Sequence, residues 1–237
     1  MENKAIFKAN IKRHRGALIG VFILVCLACA ALGTVLTVWI NSGRYVHSEL
    51  TRAGFGSLTA WVSGLTDAQP LANEVENLPE VSSVEIQNLV FSNYTVNEHE
   101  SDSEGQLILY HSEEDPYRFF TDDLRSYQEQ PEAISSGEIY VSPSLVSMME
   151  LTLGDEIRFP IARSGRDKVF TVAGFYEDPI MGSSMIGMKG FLIGEDDYRE
   201  ICQIIQTSGI DALAREGAML HIFAADPDAM TSSAKSA

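Results

Sequence analysis

The chain has 237 residues, with 33 Asp+Glu against 17 Lys+Arg and a formal charge of −16. That surplus of acid argues against nucleic-acid binding, which needs a basic face. An apolar content of 45 % excludes an acidic disordered chain, and three cysteines are too few for a disulfide-stapled scaffold.

The mean hydropathy of +0.00 averages two unlike parts. Residues 1–15 hold Lys4, Lys8, Lys12, Arg13 and Arg15 against Glu2 alone, a charge of +4. Ile6, Phe7, Asn10 and Ile11 share one helical face there. The pattern predicts a cytoplasmic basic segment, either a short amphipathic helix on the inner leaflet or a plain basic flank. From Gly16 to Gly43 no residue is charged. At about 1.5 Å per residue the run Ala17–Ile40 spans roughly 36 Å, enough for a hydrocarbon core of ~30 Å. A transmembrane helix is therefore predicted over 16–41. Small residues (Gly20, Ala28, Ala30, Ala31, Gly33) interrupt it, and Trp39 and Tyr45 mark the far interface. Ala28-Cys29-Ala30 is a weak signal-peptidase site, but the apolar run continues past it to Ile40, which favours an anchor over a cleaved leader. The positive-inside rule then places 42–237 outside the cytoplasm. Residues 41–237 carry 12 Lys+Arg and 32 Asp+Glu, or −20. Cys26 and Cys29 fall inside the span as small apolar filler, so Cys202 has no partner for an internal disulfide.

Within 42–237, Ser57–Leu65 reads as a strand. Leu71, Val75 and Leu78 give helical spacing over Gln69–Leu78, which Pro79 ends, and Val81–Phe91 is a second strand. Together they predict a βαβ-type unit. Asn97–Gly105 reads as a loop or hairpin tip, Gln106–Tyr110 as a strand, and Tyr117–Tyr127 as containing a helical turn. Glu138–Val141 is a strand. Ser142 then serves as a hydroxyl cap with Pro143 at the first helical position, and the helix runs to about Glu150. Gly154-Asp155 marks a turn. Ile157, Phe159 and Ile161 alternate on a strand that returns through Arg163–Asp167 along Val169–Phe175. Phe191–Ile193 and Met219–Ala224 are strands, and Glu195–Gln206 is a helix with Tyr198, Ile201, Ile204 and Ile205 on one side. Asp226–Ala237 reads as the start of a further helix. With no second apolar span, the expectation is a fragment of a longer membrane protein.

These residues resemble a family. The stretch KANIKRHRG leading directly into a long span, then a large exported domain, is similar to the start of FtsX-like ABC transporter permeases. The exported part resembles the MacB-type periplasmic core domain. The resemblance is carried by Gly137–Phe159 and Phe170–Pro179, where Ser142, Gly154, Asp155, Val172 and Gly174 match the family pattern. It implies an α/β (α+β) extracytoplasmic domain in which Ser57–Phe91 corresponds to a porter-like strand–helix–strand subdomain. It also implies a permease that is not itself an enzyme, has an ABC ATPase as cytoplasmic partner, sits in the lipid bilayer, and pairs with a second permease copy or half. Family members export peptides, antibiotics or lipoproteins, or regulate cell-wall hydrolases, and normally have at least three more spans.

No catalytic, cofactor or metal constellation is expected. Gly182 and Gly187 have phosphate-loop spacing, but Met188 stands where lysine is required and Lys189 follows one place late. Gly182-Ser183-Ser184-Met185-Ile186 lacks the final glycine of a hydrolase elbow. Glu100, Asp102, Glu104 and Gly105 imitate the start of a calcium loop, but His111 occupies the place of the bidentate glutamate. The histidines are dispersed, with His14 cytoplasmic and His47, His99, His111 and His221 read as surface or loop residues. Met181, Met185 and Met188 read chiefly as core filling. Two functions fit: the force-transmitting permease subunit of an exporter, or a single-span anchored sensor that binds an extracellular ligand.

Overall fold

The computed structural model describes residues 15–97, 99–113 and 115–225. The basic segment expected over residues 1–14 and the helix expected from Asp226 lie outside the described residues. The chain divides into two units, Met1–Ser48 and Glu49–Ala237.

Helix α1, Arg15–Arg52, provides the described part of the first unit and enters the second at Glu49. Its stretch Ile19–Arg52 is long and apolar enough to cross a membrane. The polar side chains within it turn back on the helix. Thr34 donates to the Ala30 carbonyl and Thr37 to the Gly33 carbonyl, both at 2.8 Å, so neither hydroxyl needs water. The helix outlasts its apolar run because nothing breaks it until Gly54. There the Phe55 N–H donates to the Leu50 carbonyl and the Gly54 N–H to the Thr51 carbonyl, with Gly54 at φ +77°. This is a Schellman stop, whose left-handed residue is normally glycine.

The second unit is built on one mixed sheet of twelve strands among the described residues. They are β1 Leu58–Ser63, β2 Val81–Ser92, β3 Thr95–Val96, β4 His99–Glu100, β5 Glu104–Leu109, β6 Phe119–Phe120, β7 Tyr127–Gln128, β8 Glu138–Val141, β9 Glu156–Ala162, β10 Arg166–Tyr176, β11 Met188–Ile193 and β12 Arg215–Ala224. The main path runs β1-β12-β2-β5-β11-β8-β10-β9-β3-β4, with β6 joined to β10 and β7 to β6. Helices α2 (Gln69–Glu76), α3 (Ser144–Met149) and α4 (Glu195–Ser208) complete the mixed α+β domain.

Strand alternation separates the two faces. Val90, Leu107, Ile139, Val141, Phe191 and Ile193 point into a core that Ile201 of α4 also enters, packed with Phe159 and Phe170. Leu89, Phe91, Ile108 and Leu192, their neighbours along the same strands, point into a second core with Tyr117, Phe119 and Tyr176. Near the β1 edge, Ala68 and Ala72 of the α2 region close over Leu220 and Ile222. The centre of the sheet is thus buried on both sides.

One expectation is sharpened and two are corrected. First, the expected β1–α2–β2 unit forms, in split form. β12 lies between β1 and β2 and pairs antiparallel with each, so the two strands run parallel without touching. Second, Tyr117–Tyr127 contains no helical turn. Phe119 and Phe120 pair with Tyr176 and Phe175 of β10, and the chain returns through Tyr127. Pairing of Phe119, fully buried, outweighs local helix tendency, and the Thr121 hydroxyl donating to Asp123 at 2.7 Å builds the turn. Third, α3 starts at Ser144 with Pro143 at its cap. The Ser142 hydroxyl meets the Ser144 N–H only at 3.4 Å, and its carbonyl takes the Leu145 N–H instead.

The segment Gly137–Pro179 otherwise folds as its pattern predicts. Gly154, at φ +86°, turns the chain, and the Asp155 carboxylate accepts the Thr152 N–H at 2.7 Å. Gly174 has a spatial reason: a Cβ there would come within 2.5 Å of the Tyr140 ring on the adjacent strand.

Candidate functional site

The register of the split unit brings distant residues together. Thr59 on β1 faces His221 on β12, and His221 faces Glu85 on β2, forming one cross-strand row. The Thr59 hydroxyl and His221 Nδ1 lie 3.2 Å apart, and the Phe55 ring meets the imidazole edge-on at 4.9 Å. Nε2 of His221 has no hydrogen-bond partner among the described residues. His221 is 7 % exposed, and burial pushes its pKa down to about 4, so the ring is neutral at pH 7. This overturns its placement on the surface or in a loop. Its neighbours in sequence give no hint of burial, because what covers it comes from β1 and from the turn after α1.

Two residues along β2, the Gln87 amide donates to Asp115 Oδ1 and to the Tyr117 hydroxyl, each at 2.9 Å. Asp115 Oδ2 accepts the His111 N–H at 2.7 Å. Burial drives the Tyr117 pKa well up, so its hydroxyl stays protonated. Ala53, Gly54, Ile86 and Pro116 complete the wall of a cavity of about 330 Å³. That is near the lower end of small-ligand sites, roughly 300–1,000 Å³.

An ion network borders this cavity. Arg52 lies between Glu49 (2.7 Å) and Glu177 (2.5 Å), and it also donates to the Pro116 carbonyl at 3.4 Å. Arg118 is 3.4 Å from Glu49 and 3.6 Å from Glu177 and lies over the Tyr127 ring, whose hydroxyl donates to Glu177. These groups are a quarter or so exposed, Arg118 more, so solvent screens each pair. A double-mutant cycle on Arg52→Ala and Glu177→Ala is expected to give a coupling of about 1 kcal/mol or less.

The glycine- and methionine-rich loop after β10 is fastened from inside. Lys189, fully buried, donates to the carbonyls of Ser183 (2.6 Å) and Ile186 (2.7 Å), while Asp178 accepts the N–H groups of Ile180 and Met181. The lysine that falls one place late for a phosphate loop is thus spent on its own loop. Met181 is core, whereas Met185 is 93 % exposed at the tip, so the three methionines do not share one role. Of the acidic run, Glu104 pairs with Arg215 at 2.7 Å and Glu100 lies on β4. Cys202 is half-buried on α4, where burial raises its thiol pKa to about 11.

No family model matches the chain, and no curated protein matches it. Solved structures similar to it include three domains. One is the extracellular domain of the ABC-type transporter YknZ from Gram-positive bacteria (8 % identity, TM-score 0.35, covering 73 % of this chain and 78 % of that one). Another is a domain of a protein described as a permease from Porphyromonas gingivalis (18 %, 0.34, 68 % and 63 %). The third is the periplasmic region of MacB from Actinobacillus actinomycetemcomitans (10 %, 0.34, 77 % and 81 %). Likenesses of this size carry no function across, so the functional reading rests on the chain's own pattern and geometry.

His221 makes stability depend on pH. Its folded pKa of about 4 lies below the unfolded value near 6.5, so between these values the unfolded state binds more protons. Its contribution is present above pH 6.5 and is lost as pH falls through 4. Between pH 7 and 5 the unfolding free energy is expected to drop by about 2 kcal/mol from this residue. The drop should shrink by that amount in His221→Gln, as read from denaturant midpoints at each pH. An equal slope in the variant would contradict the assignment.

Proposed function

We propose that the chain belongs to the permease subunit of an ABC transporter of the FtsX/MacB type. In this reading a partner ATPase hydrolyses ATP in the cytoplasm, and the permease, itself no enzyme, passes the resulting motion to an extracytoplasmic domain. The substrate is then an exported peptide, antibiotic or lipoprotein-like molecule. The observation that carries the reading is the folding of Gly137–Pro179 into the strand, helix, Gly-Asp turn and hairpin of the motif, in a mixed α+β domain that follows one apolar helix. The +4 flank before that helix supports a cytoplasmic N-terminus, and the −20 domain supports the opposite side.

The test is purification of the full-length permease from its native membrane. An ABC ATPase is expected to come with it, and deletion of the permease gene is expected to change ATP turnover and abolish export. Unchanged turnover and export would end this reading. A second reading, an anchored sensor or ligand-binding protein, is favoured by the cavity beside His221. A signalling partner in place of an ATPase would mark that outcome.

A further inference from the structure

We propose that the cavity formed by Glu85, Gln87, Asp115, Pro116, Tyr117 and His221 binds a primary ammonium group carried on an alkyl stem. The inference does not depend on the transport reading, because it rests on what lines the cavity.

Among the described residues, two carboxylates and no Lys or Arg side chain line it. Asp115 is held by the Gln87 amide and the His111 N–H, so its carboxyl group is in position before any ligand arrives. Glu85 has no hydrogen-bond or ion-pair partner among the described residues, and it lies directly across the strand pair from His221. The independent observation is His221 itself. It is more than nine-tenths buried and lines the cavity, yet its Nε2 is left without a protein partner. Among the described residues the one buried side-chain polar atom left without a partner is the Tyr94 hydroxyl, so Nε2 of His221 is open to the cavity and free to bond what enters it. When Nδ1 donates to the Thr59 hydroxyl, Nε2 becomes an acceptor that an ammonium N–H satisfies. Glu85 then supplies the charge-assisted bond. Pro116 and the Tyr117 ring offer apolar surface for a stem. A carboxylate or phosphate ligand would instead face two like charges.

The same group is carried by a free diamine and by the lysine side chain of a peptide, so the test uses both. The full chain in detergent micelles is titrated calorimetrically with 1,5-diaminopentane and with Nα-acetyl-lysine methylamide. The neutral control is Nα-acetyl-norleucine methylamide. The ammonium probes are expected to bind one per chain, at least about tenfold tighter than the norleucine probe, and Glu85→Gln is expected to weaken them by about tenfold. Glu85 is exposed, so the variant folds as wild type, and an unchanged unfolding midpoint verifies this. Tighter binding of the lysine probe identifies a peptide-borne group, and tighter binding of the diamine identifies a free amine; either supports the site. Equal binding of the norleucine probe, unaltered binding in Glu85→Gln, or no binding by about 10 mM would overturn it.

Discussion

Phe159→Ala is expected to lower the stability of the domain by roughly 3–5 kcal/mol. Phe159 is fully buried at the meeting point of three other rings, with centroids at 6.0 Å to Tyr94, 5.1 Å to Phe191 and 5.9 Å to Phe170. Truncation removes those contacts and the transfer free energy of the ring, and leaves a cavity. The surrounding side chains come from β9, β10, β11 and the β2–β3 turn, so they cannot collapse into the gap without shifting several strands. The measurement is denaturant unfolding of the full chain in micelles, followed by Trp61 fluorescence. Trp39, exposed on α1, is replaced by phenylalanine so that Trp61 alone reports. Met185→Ala, at an exposed tip, should change stability by no more than about 0.5 kcal/mol. A loss below about 1 kcal/mol for Phe159→Ala would show that this cluster is not the core.

The second large effect is expected at Asp197. Its side chain is fully buried and answers three donors: Lys168 Nζ at 2.7 Å, the Ser136 hydroxyl at 3.0 Å and the Gly137 N–H at 2.7 Å. Lys168 also reaches Glu200 at 2.6 Å. Burial disfavours its ammonium, but the two carboxylates prevail and raise its pKa. Breaking a buried pair by removing one member costs roughly 3–5 kcal/mol, mostly for the charge left behind. Asp197→Ala leaves the ammonium to the exposed Glu200 alone and strands the amide just before β8, so it falls toward the lower end of that range. Lys168→Met should cost less, because Asp197 keeps its bonds to Ser136 and Gly137. Adding Lys168→Met to Asp197→Ala should recover part of the loss, the unmet Gly137 N–H accounting for the rest. Equal costs for the two single variants would refute this ordering.

Local pattern carries much of the fold into the sequence. Ile157, Phe159 and Ile161 alternate because one face of β9 is buried, and α4 shows its core side through Tyr198, Ile201 and Ile205. The long α1 is legible because its apolar run is uninterrupted and long enough to cross a membrane. Pairing between distant segments is not legible. Nothing near Leu58 or Val81 announces that β12 will lie between them, and nothing in Tyr117–Tyr127 announces that β10 supplies a partner. The cavity is invisible in the sequence for the same reason. Its walls come from residues 53–54, 85–87, 115–117 and 221, four segments with no common local signal. His221 reads as exposed because burial of a single polar residue in a strand depends on what crosses it. Lys189 is the mirror case: its charge implies solvent, while three carbonyls of its own loop, those of Met181, Ser183 and Ile186, stand in for water.

The split unit also dictates an order of events as the chain is made. Among the described residues β1 finds its ladder only on β12, and the whole segment from Asn93 to Ala214 must be synthesised before that strand exists. β2 can meanwhile pair with β5, close by in sequence, so the middle of the sheet can assemble early. β1 and α2 cannot join it until the last strand slides between β1 and β2 and closes a contact as distant as Thr59 to His221. Contacts of that separation are slow to form because the entropy of closing the loop is lost before any bond rewards it. The row that shapes the cavity is therefore among the last parts of the domain to appear, and a nascent chain stalled before Arg215 carries no binding site at all.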